Sequence, residues 1–329
     1  MNTREYPPVI LTHPLPESWI TELKDACELV IGPEGGTGLT AELREELPRA
    51  QGLLCLLDDP IDAGVLKQAP NLKVVTNLAV GYDNIDVQTC TELGIPVGNT
   101  PGVLTEGTAD LTMALLLAAA RKLPQASRDA REGRWDTWNP AGWLGADLKD
   151  AVVGIIGMGK IGTAVARRAA GFQTRLLFHN RSPRPQIAEE LNAEQVELDR
   201  LLQESDFICL HVPLTEETRW MIDLEALQAM KETAILINAA RGEVVHTTAL
   251  VTALRRGWIR AAALDVTDPE PLPPEHPLYA LENCLITPHI GSATHQTRKT
   301  MTALAVNNIL AGLRGERLPH CVNPEVYQD

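Results

Sequence analysis

Residues Val152–Gly162 read Val-Val-Gly-Ile-Ile-Gly-Met-Gly-Lys-Ile-Gly. A short apolar, β-branched run leads into Gly157-Met158-Gly159-Lys160-Ile161-Gly162, and a helical pattern follows from Thr163 to Ala170. Strand, tight turn and helix in this order assign the glycines three different jobs. Gly157 permits the turn, Gly159 lets a pyrophosphate approach the backbone, and Gly162 lets helix and strand pack closely. The start of the helix offers unpaired N–H groups and a positive dipole end to the phosphates. A purely structural glycine turn is the alternative. The strand before it and the helix after it favour a dinucleotide site.

Outward from this turn, apolar runs alternate with helical patterns. Downstream strands are expected at Arg175–His179, Asp206–Val212, Ala234–Asn238, Ala261–Val266 and Cys284–Thr287. Helices are expected at Gly162–Ala170, Leu224–Met230 and Thr247–Arg256. With Val152–Ile156 that makes six strands, the size of a complete dinucleotide-binding domain. Upstream, strands at Val9–Thr12, Leu29–Ile31, Gly52–Leu57, Lys73–Leu78 and Ile95–Val97 alternate with helices at Glu17–Ala26, Thr40–Leu47, Asp62–Gln68 and Asn84–Leu93. Thr40 is a natural N-cap. Such alternation implies an α/β chain of two doubly wound parallel-sheet domains.

Three segments break the rhythm. Leu104–Leu123 is long, alanine-rich and apolar nearly all round, so it must be buried, in the core between domains or at a subunit interface as well, and a second helical segment is expected to reach about Glu132. Gly133–Leu148 is irregular and carries Trp135, Trp138 and Trp143, which suit local packing or an arm laid on a partner. Ala293–Leu313 reads as a last long helix, and the tail from Arg314 to Asp329 as a return to the first domain.

At 329 residues two domains are the default. A formal charge of -14 argues against nucleic acid and anionic membranes as partners. The six cysteines are scattered without a C-x-x-C pair, so they read as small buried hydrophobes in a reducing compartment, with no metal site. No signal peptide or bilayer-length apolar run is visible, and the chain reads as cytoplasmic.

The cofactor type is read past the second strand of the glycine half. An adenosine ribose with a free 2′-OH is usually held there by an acid, about 20 residues past the glycines. Here the sequence is His179-Asn180-Arg181-Ser182, with Arg184 close behind, and no carboxylate. Arginines and a hydroxyl suit a 2′-phosphate through charge-assisted hydrogen bonds. NADP(H) is therefore preferred. NAD(H) remains possible if Arg181 is only a solvated surface charge.

Three polar residues follow expected strand ends: Arg241, Glu270 and His289. Ligands of open parallel sheets bind outside the carboxyl ends of the strands, so these residues can converge at the nicotinamide. Hydride transfer to a ketone leaves an alkoxide that needs a proton, which histidine supplies near neutral pH. A neighbouring carboxylate orients that histidine and favours its charged form. Arginine grips a 2-oxo acid carboxylate in a fork and polarises the carbonyl. Singly, each residue is more often a surface charge or a structural hydrogen-bonding group.

Together they carry a resemblance. Asn238-Ala-Ala-Arg241-Gly-Glu-Val-Val, Asp265-Val-Thr-Asp-Pro-Glu270-Pro-Leu and Thr287-Pro-His289-Ile-Gly-Ser-Ala-Thr294 resemble the three signatures of the D-2-hydroxyacid dehydrogenase family. Val80-Gly81-Tyr-Asp-Asn-Ile-Asp86 and Asn99-Thr-Pro-Gly102 match its substrate loop and hinge. Trp135-Asp-Thr-Trp138-Asn-Pro140 and Arg181-Ser-Pro-Arg-Pro185 point, within the family, to the branch of glyoxylate/hydroxypyruvate reductases.

The resemblance implies a Rossmann cofactor domain (100–289, with dimerisation helices and arm) inserted in a flavodoxin-like substrate domain (1–99 and 290–329). It implies Arg241 as substrate-orienting residue, Glu270 as partner of the histidine and His289 as acid/base. Backbone N–H groups near Val80 and Gly81 would hold the substrate carboxylate. Thr105, Gly157–Gly162, Asn180–Ser182, Arg184, Pro213, Ala239, Asp265 and Gly291 would line the cofactor. Trp138 would reach across a homodimer into the partner's site. Two crossings between domains would allow hinge closure.

The expected activity is NADPH-linked reduction of glyoxylate to glycolate and hydroxypyruvate to D-glycerate. Phosphoglycerate, phosphite or formate dehydrogenases of the same family are alternatives, weakened by the missing acid at Asn180. A cofactor-sensing corepressor-like protein is the non-enzymatic alternative. The intact Arg241, Glu270 and His289 argue against it.

Overall fold

Parallel strands that are buried on both faces need unbroken apolar runs rather than alternation, and among the described residues nine of the twelve strands are four or five residues of mostly apolar sequence. The computed structural model describes residues 6–36 and 38–327. They form two compact units, one of residues 1–104 and 294–329, the other of residues 105–293.

The first unit holds a five-stranded sheet, all parallel. Its strands are β1 (Pro8–Leu11), β2 (Glu28–Ile31), β3 (Gly52–Cys55), β4 (Val74–Asn77) and β5 (Val97–Gly98). The order β2-β1-β3-β4-β5 is the flavodoxin-like winding. Four short helices connect the strands: α1 (Thr21–Ala26), α2 (Ala41–Glu46), α3 (Ala63–Lys67) and α4 (Val87–Glu92). Three start on side-chain caps. Thr40 accepts from Leu43 N–H, Asp62 from Val65 N–H and Asp86 from Thr89 N–H. The cap at Asp86 is why the helix expected from Asn84 starts later. The helix expected at Glu17–Ala26 is split, with a 3₁₀ turn over Glu17–Trp19.

The second unit holds a seven-stranded parallel sheet, ordered β12-β11-β10-β9-β6-β7-β8. In chain order these are β6 (Val152–Ile156), β7 (Arg175–His179), β8 (Glu194–Gln195), β9 (Phe207–Leu210), β10 (Ile235–Asn238), β11 (Ala261–Leu264) and β12 (Cys284–Ile286). The helices are α5 (Thr105–Ala120), α6 (Leu123–Arg131), α7 (Lys160–Ala170), α8 (Pro185–Leu191), α9 (Leu198–Glu204), α10 (Leu224–Ala229) and α11 (Thr247–Arg256). The sequence reading of six strands is corrected to seven. β8 is two exposed polar residues at the sheet edge, with no apolar signal to read. The winding direction reverses between β6 and β9, which pair directly with Gly154 opposite Ile208. This is the topological switch point, where such sheets bind ligands.

The helix expected over Leu104–Leu123 is shorter than that range, and the second helical segment expected to reach about Glu132 is α6. The first helix, α5, ends at Ala120, Lys122 takes a left-handed φ of 52°, and α6 starts at Leu123. Only one face of α5 is fully buried, through Ala109, Thr112, Met113 and Leu116 among others, while Asp110 and Ala114 are exposed. The last helix, α12 (His295–Leu313), belongs to the first unit. Gly312 lets it approach β4 so closely that a Cβ there would lie 2.5 Å from Val74 Cβ. The tail then pairs with β5: Val97 N–H donates to Asn323 Oδ1 at 2.7 Å, and Val322 N–H donates to Val97 O.

Candidate active site

The glycine turn has the geometry that its spacing requires. Gly157 sits at φ 98°, and a Cβ there would lie 2.6 Å from His211 O. At Gly162 a Cβ would stand 2.1 Å from Gly157 O, so any side chain would prise turn and helix apart. Gly159 is different: its Cβ position is open. α7 starts at Lys160, two residues earlier than the sequence suggested, with Gly159 as N-cap and no side chain capping it. The first N–H groups of an eleven-residue helix are thus left for an external acceptor. An uncapped helix start beside an open glycine fits a diphosphate.

Asn180 builds the turn from the side. Its Oδ1 accepts from Met158 N–H at 3.0 Å, and its Nδ2 donates to Ser182 O at 2.7 Å. Its side chain therefore shapes the site. Met158 is buried in the core, so only its backbone is available to a ligand. Arg181, Ser182 and Arg184 are exposed just beyond, as is Pro213. The charge of Arg181 contributes to lowering the carboxyl pKa of Glu217, which is set first by a Thr215 hydrogen bond. The residues present fit a dinucleotide, and no carboxylate lies among the residues that directly follow β7, Asn180 to Arg184.

Arg241, Glu270 and His289 lie on the loops after β10, β11 and β12, all at the carboxyl edge of the sheet. Two contacts draw these loops together. A Cβ at Gly242 would stand 1.9 Å from Thr267 O, so only glycine lets the arginine loop rest on the next one. His289 Nδ1 meets Glu270 Oε1, and Glu270 Oε2 accepts from Thr267 N–H at 3.0 Å. With a carboxylate on Nδ1, the imidazole presents Nε2 for proton transfer. Buried Asn238 shapes the arginine turn by donating to Arg241 O and accepting from Ala240 N–H. Arg241 Nη1 donates to Ala240 O.

His289 itself takes a left-handed φ of 51°, an uncommon conformation for a side chain with a Cβ. Asp265 holds it there. The buried carboxylate accepts from Thr287 Oγ1 at 2.6 Å, Ile290 N–H at 2.8 Å and Gly291 N–H at 2.8 Å. Its backbone O accepts from His289 N–H at 2.9 Å. The resemblance placed Asp265 at the cofactor. Its carboxylate also anchors the histidine loop. Thr287, which opens the histidine signature, and Thr108, which donates to Gly291 O at 3.2 Å, complete that support; Thr108 had no sequence signal of its own. Thr105, at the start of α5, and Ala239 are half-buried.

In the first unit, the loop after β4 carries Val80 and Gly81, both half-buried. Trp138 stands 81% exposed and Trp135 75%, and Leu123 and Leu144 are exposed as well. The six cysteines are free thiols, four of them buried, and burial pushes Cys90, Cys209 and Cys284 up to about 12. Among the described residues no group of histidine, cysteine or carboxylate side chains could hold a metal ion, and no helix is long and apolar enough to cross a membrane.

Comparison with known proteins agrees with this geometry. A glyoxylate reductase from Korarchaeum cryptofilum is 48% identical over 323 residues, covering 98% of this chain and 97% of that protein. A Thermus thermophilus crystal structure superposes with a TM-score of 0.90 at 47% identity, covering 96% of this chain and 99% of the other. An NADPH-dependent glyoxylate/hydroxypyruvate reductase from Sinorhizobium meliloti, solved with NADP and malonate, gives a TM-score of 0.86 at 32% identity over 99% of both chains. Residues 113–291 match the NAD-binding domain of D-isomer specific 2-hydroxyacid dehydrogenases. The chain is an oxidoreductase that belongs to the D-isomer specific 2-hydroxyacid dehydrogenase family.

Proposed function

We propose that this chain reduces glyoxylate to glycolate and hydroxypyruvate to D-glycerate with NADPH, His289 serving as acid/base. The observation that carries the reading is the His289–Glu270 pair on a loop held by Asp265. The reduced nicotinamide supplies the hydride. Arg241 orients the oxo acid and polarises its carbonyl. His289 Nε2 gives a proton to the oxygen that becomes the hydroxyl, and Glu270 keeps the ring turned so that Nε2 faces it. The Val80–Gly81 loop takes the substrate carboxylate through backbone N–H groups. The open Gly159 and uncapped α7 support diphosphate binding, and Arg181 and Arg184 support the 2′-phosphate. The names of the relatives point to the same substrates.

The exposed Trp135, Trp138 and Leu144 support a homodimer in which Trp138 reaches the partner's site. Free thiols throughout the chain support a reducing, cytoplasmic compartment.

The test is NADPH consumption with glyoxylate, hydroxypyruvate and pyruvate, repeated with NADH. Turnover of the first two with NADPH is the expected result, and no turnover of any 2-oxo acid would refute the reading. His289→Ala is expected to lower kcat by at least about 10³-fold while NADPH affinity stays within a few-fold. Equal kcat would remove its role.

A further inference from the structure

Three consecutive carbonyls of the loop after β4 are each taken by a donor. Ala79 O accepts from Thr100 N–H at 2.9 Å. Val80 O accepts from Asn99 Nδ2 at 2.8 Å, and Gly81 O from Asn77 Nδ2 at 2.7 Å. These peptide bonds are trans. In a trans peptide the C=O of one residue and the N–H of the next point in opposite directions. Holding the three carbonyls therefore turns the N–H groups of Val80, Gly81 and Tyr82 away from those donors. Among the described residues, no hydrogen bond uses any of these three N–H groups. Successive free N–H groups form an anion-binding concavity.

The two amide side chains are themselves fixed. Asn77 is fully buried. Its Nδ2 also donates to Asn84 Oδ1 at 2.8 Å, and its Oδ1 accepts from Cys55 Sγ at 3.6 Å. Asn84 in turn donates to Leu56 O and Asp59 O, both at 2.9 Å. An Asn77 amide turned over would set oxygen against Gly81 O and Asn84 Oδ1, so only one orientation is satisfied. Asn99 is clamped through its backbone. Its O accepts from Asn308 Nδ2 at 3.1 Å and its N–H donates to His320 O at 3.3 Å. Asn308 is a buried residue of α12, and its Oδ1 accepts from His320 N–H.

We infer that Asn99 and Asn77 are positioning residues that aim the Gly81 and Tyr82 N–H groups at the carboxylate of the 2-oxo acid. The inference rests on the proposed role of this loop in substrate binding, which it deepens. The amides are neutral, so they orient the donors without adding a competing charge. Both residues act through the backbone, and neither needs to touch the substrate.

The test uses the full chain loaded with NADPH for kinetics and NADP for binding. Glyoxylate kinetics and oxalate affinity by calorimetry are compared for wild type, Asn99→Ala, Asn99→Asp and Asn77→Asp. Losing the amide donor is expected to raise the glyoxylate KM and the oxalate Kd by about tenfold, with kcat changed much less. Asn99→Asp is expected to exceed Asn99→Ala, because an acceptor then faces Val80 O. NADPH affinity is expected to stay unchanged. If Asn77→Asp does not fold, the two Asn99 variants decide. Wild-type KM and oxalate Kd in Asn99→Ala would overturn the inference and leave the proposed function standing. A parallel fall of kcat, cofactor affinity and melting temperature would also overturn it, since that marks general damage. A wild-type holoenzyme that neither reduces glyoxylate nor binds oxalate would remove the loop's carboxylate role, and the inference with it.

Discussion

Asp265→Asn isolates the support of His289, the proposed acid/base. The amide has nearly the shape of the carboxylate, so no cavity opens. What changes is the pattern of donors and acceptors. Oδ1 now takes two bonds, from Thr287 Oγ1 and Ile290 N–H, and Oδ2 takes one, from Gly291 N–H. With the asparagine oxygen at the Oδ1 position, its NH₂ faces Gly291 N–H. Turned over, it faces Ile290 N–H. Either way a donor meets a donor, a charge-assisted bond of about 1.5–3 kcal/mol is lost, and a buried N–H is left without a partner. The loop that holds His289 at φ 51° then relaxes. If about 3 kcal/mol falls on the placement of His289, kcat drops by about 10²-fold, at 1.36 kcal/mol per decade. The assay is steady-state NADPH oxidation with glyoxylate, beside NADPH affinity from nicotinamide fluorescence. The expected outcome is a kcat loss of that order with cofactor Kd within about threefold of wild type. A raised cofactor Kd with kcat retained would refute the argument and return Asp265 to the cofactor, where the family resemblance had placed it.

Asn180→Asp with Arg181→Ala should move the ratio of kcat/KM for NADPH over NADH toward NADH by about 10²-fold, because one charge-assisted phosphate bond is lost and a carboxylate gained. An unmoved ratio in parallel assays would deny the 2′-phosphate site. Gly162→Ala should destabilise by more than about 2 kcal/mol and weaken NADPH binding, since its Cβ would lie 2.1 Å from Gly157 O; urea unfolding and a cofactor titration check this. His211, at the end of β9, has both ring nitrogens buried without a partner, and desolvation lowers its pKa from 6.5 to about 4. The unfolded chain takes up a proton below 6.5 that the native protein refuses. Stability therefore falls as pH drops from about 6.5 to about 4, by at most roughly 3 kcal/mol from this one group. Urea unfolding at pH 7 and pH 5 should show a smaller difference in His211→Asn than in wild type.

Much of the fold was legible because its signals are local. Strands such as Ile235–Asn238 are apolar runs, and Thr40 sits where a helix start needs an acceptor. β8 escaped because an exposed edge pair, Glu194–Gln195, needs no apolar pattern. In the site, Arg241, Glu270 and His289 could be picked out from strand-end positions and the family signatures. The work of Asp265, Asn180 and Thr108 could not. Each acts on a partner 22 to 183 positions away in the chain.

What the sequence by itself determined, then, is whatever depends on one residue's own chemistry: where glycine must turn, where carboxylates are missing, which side chains can carry a proton. The tertiary structure decided which of these groups meet. Glu270 reaches His289 because β11 and β12 pair in parallel with Leu264 opposite Ile286. Gly242 lets the arginine loop lie on Thr267 because nothing larger fits. Hydrogen bonds act over about 3 Å, so a bond between distant positions exists only once strand register has brought its two ends together.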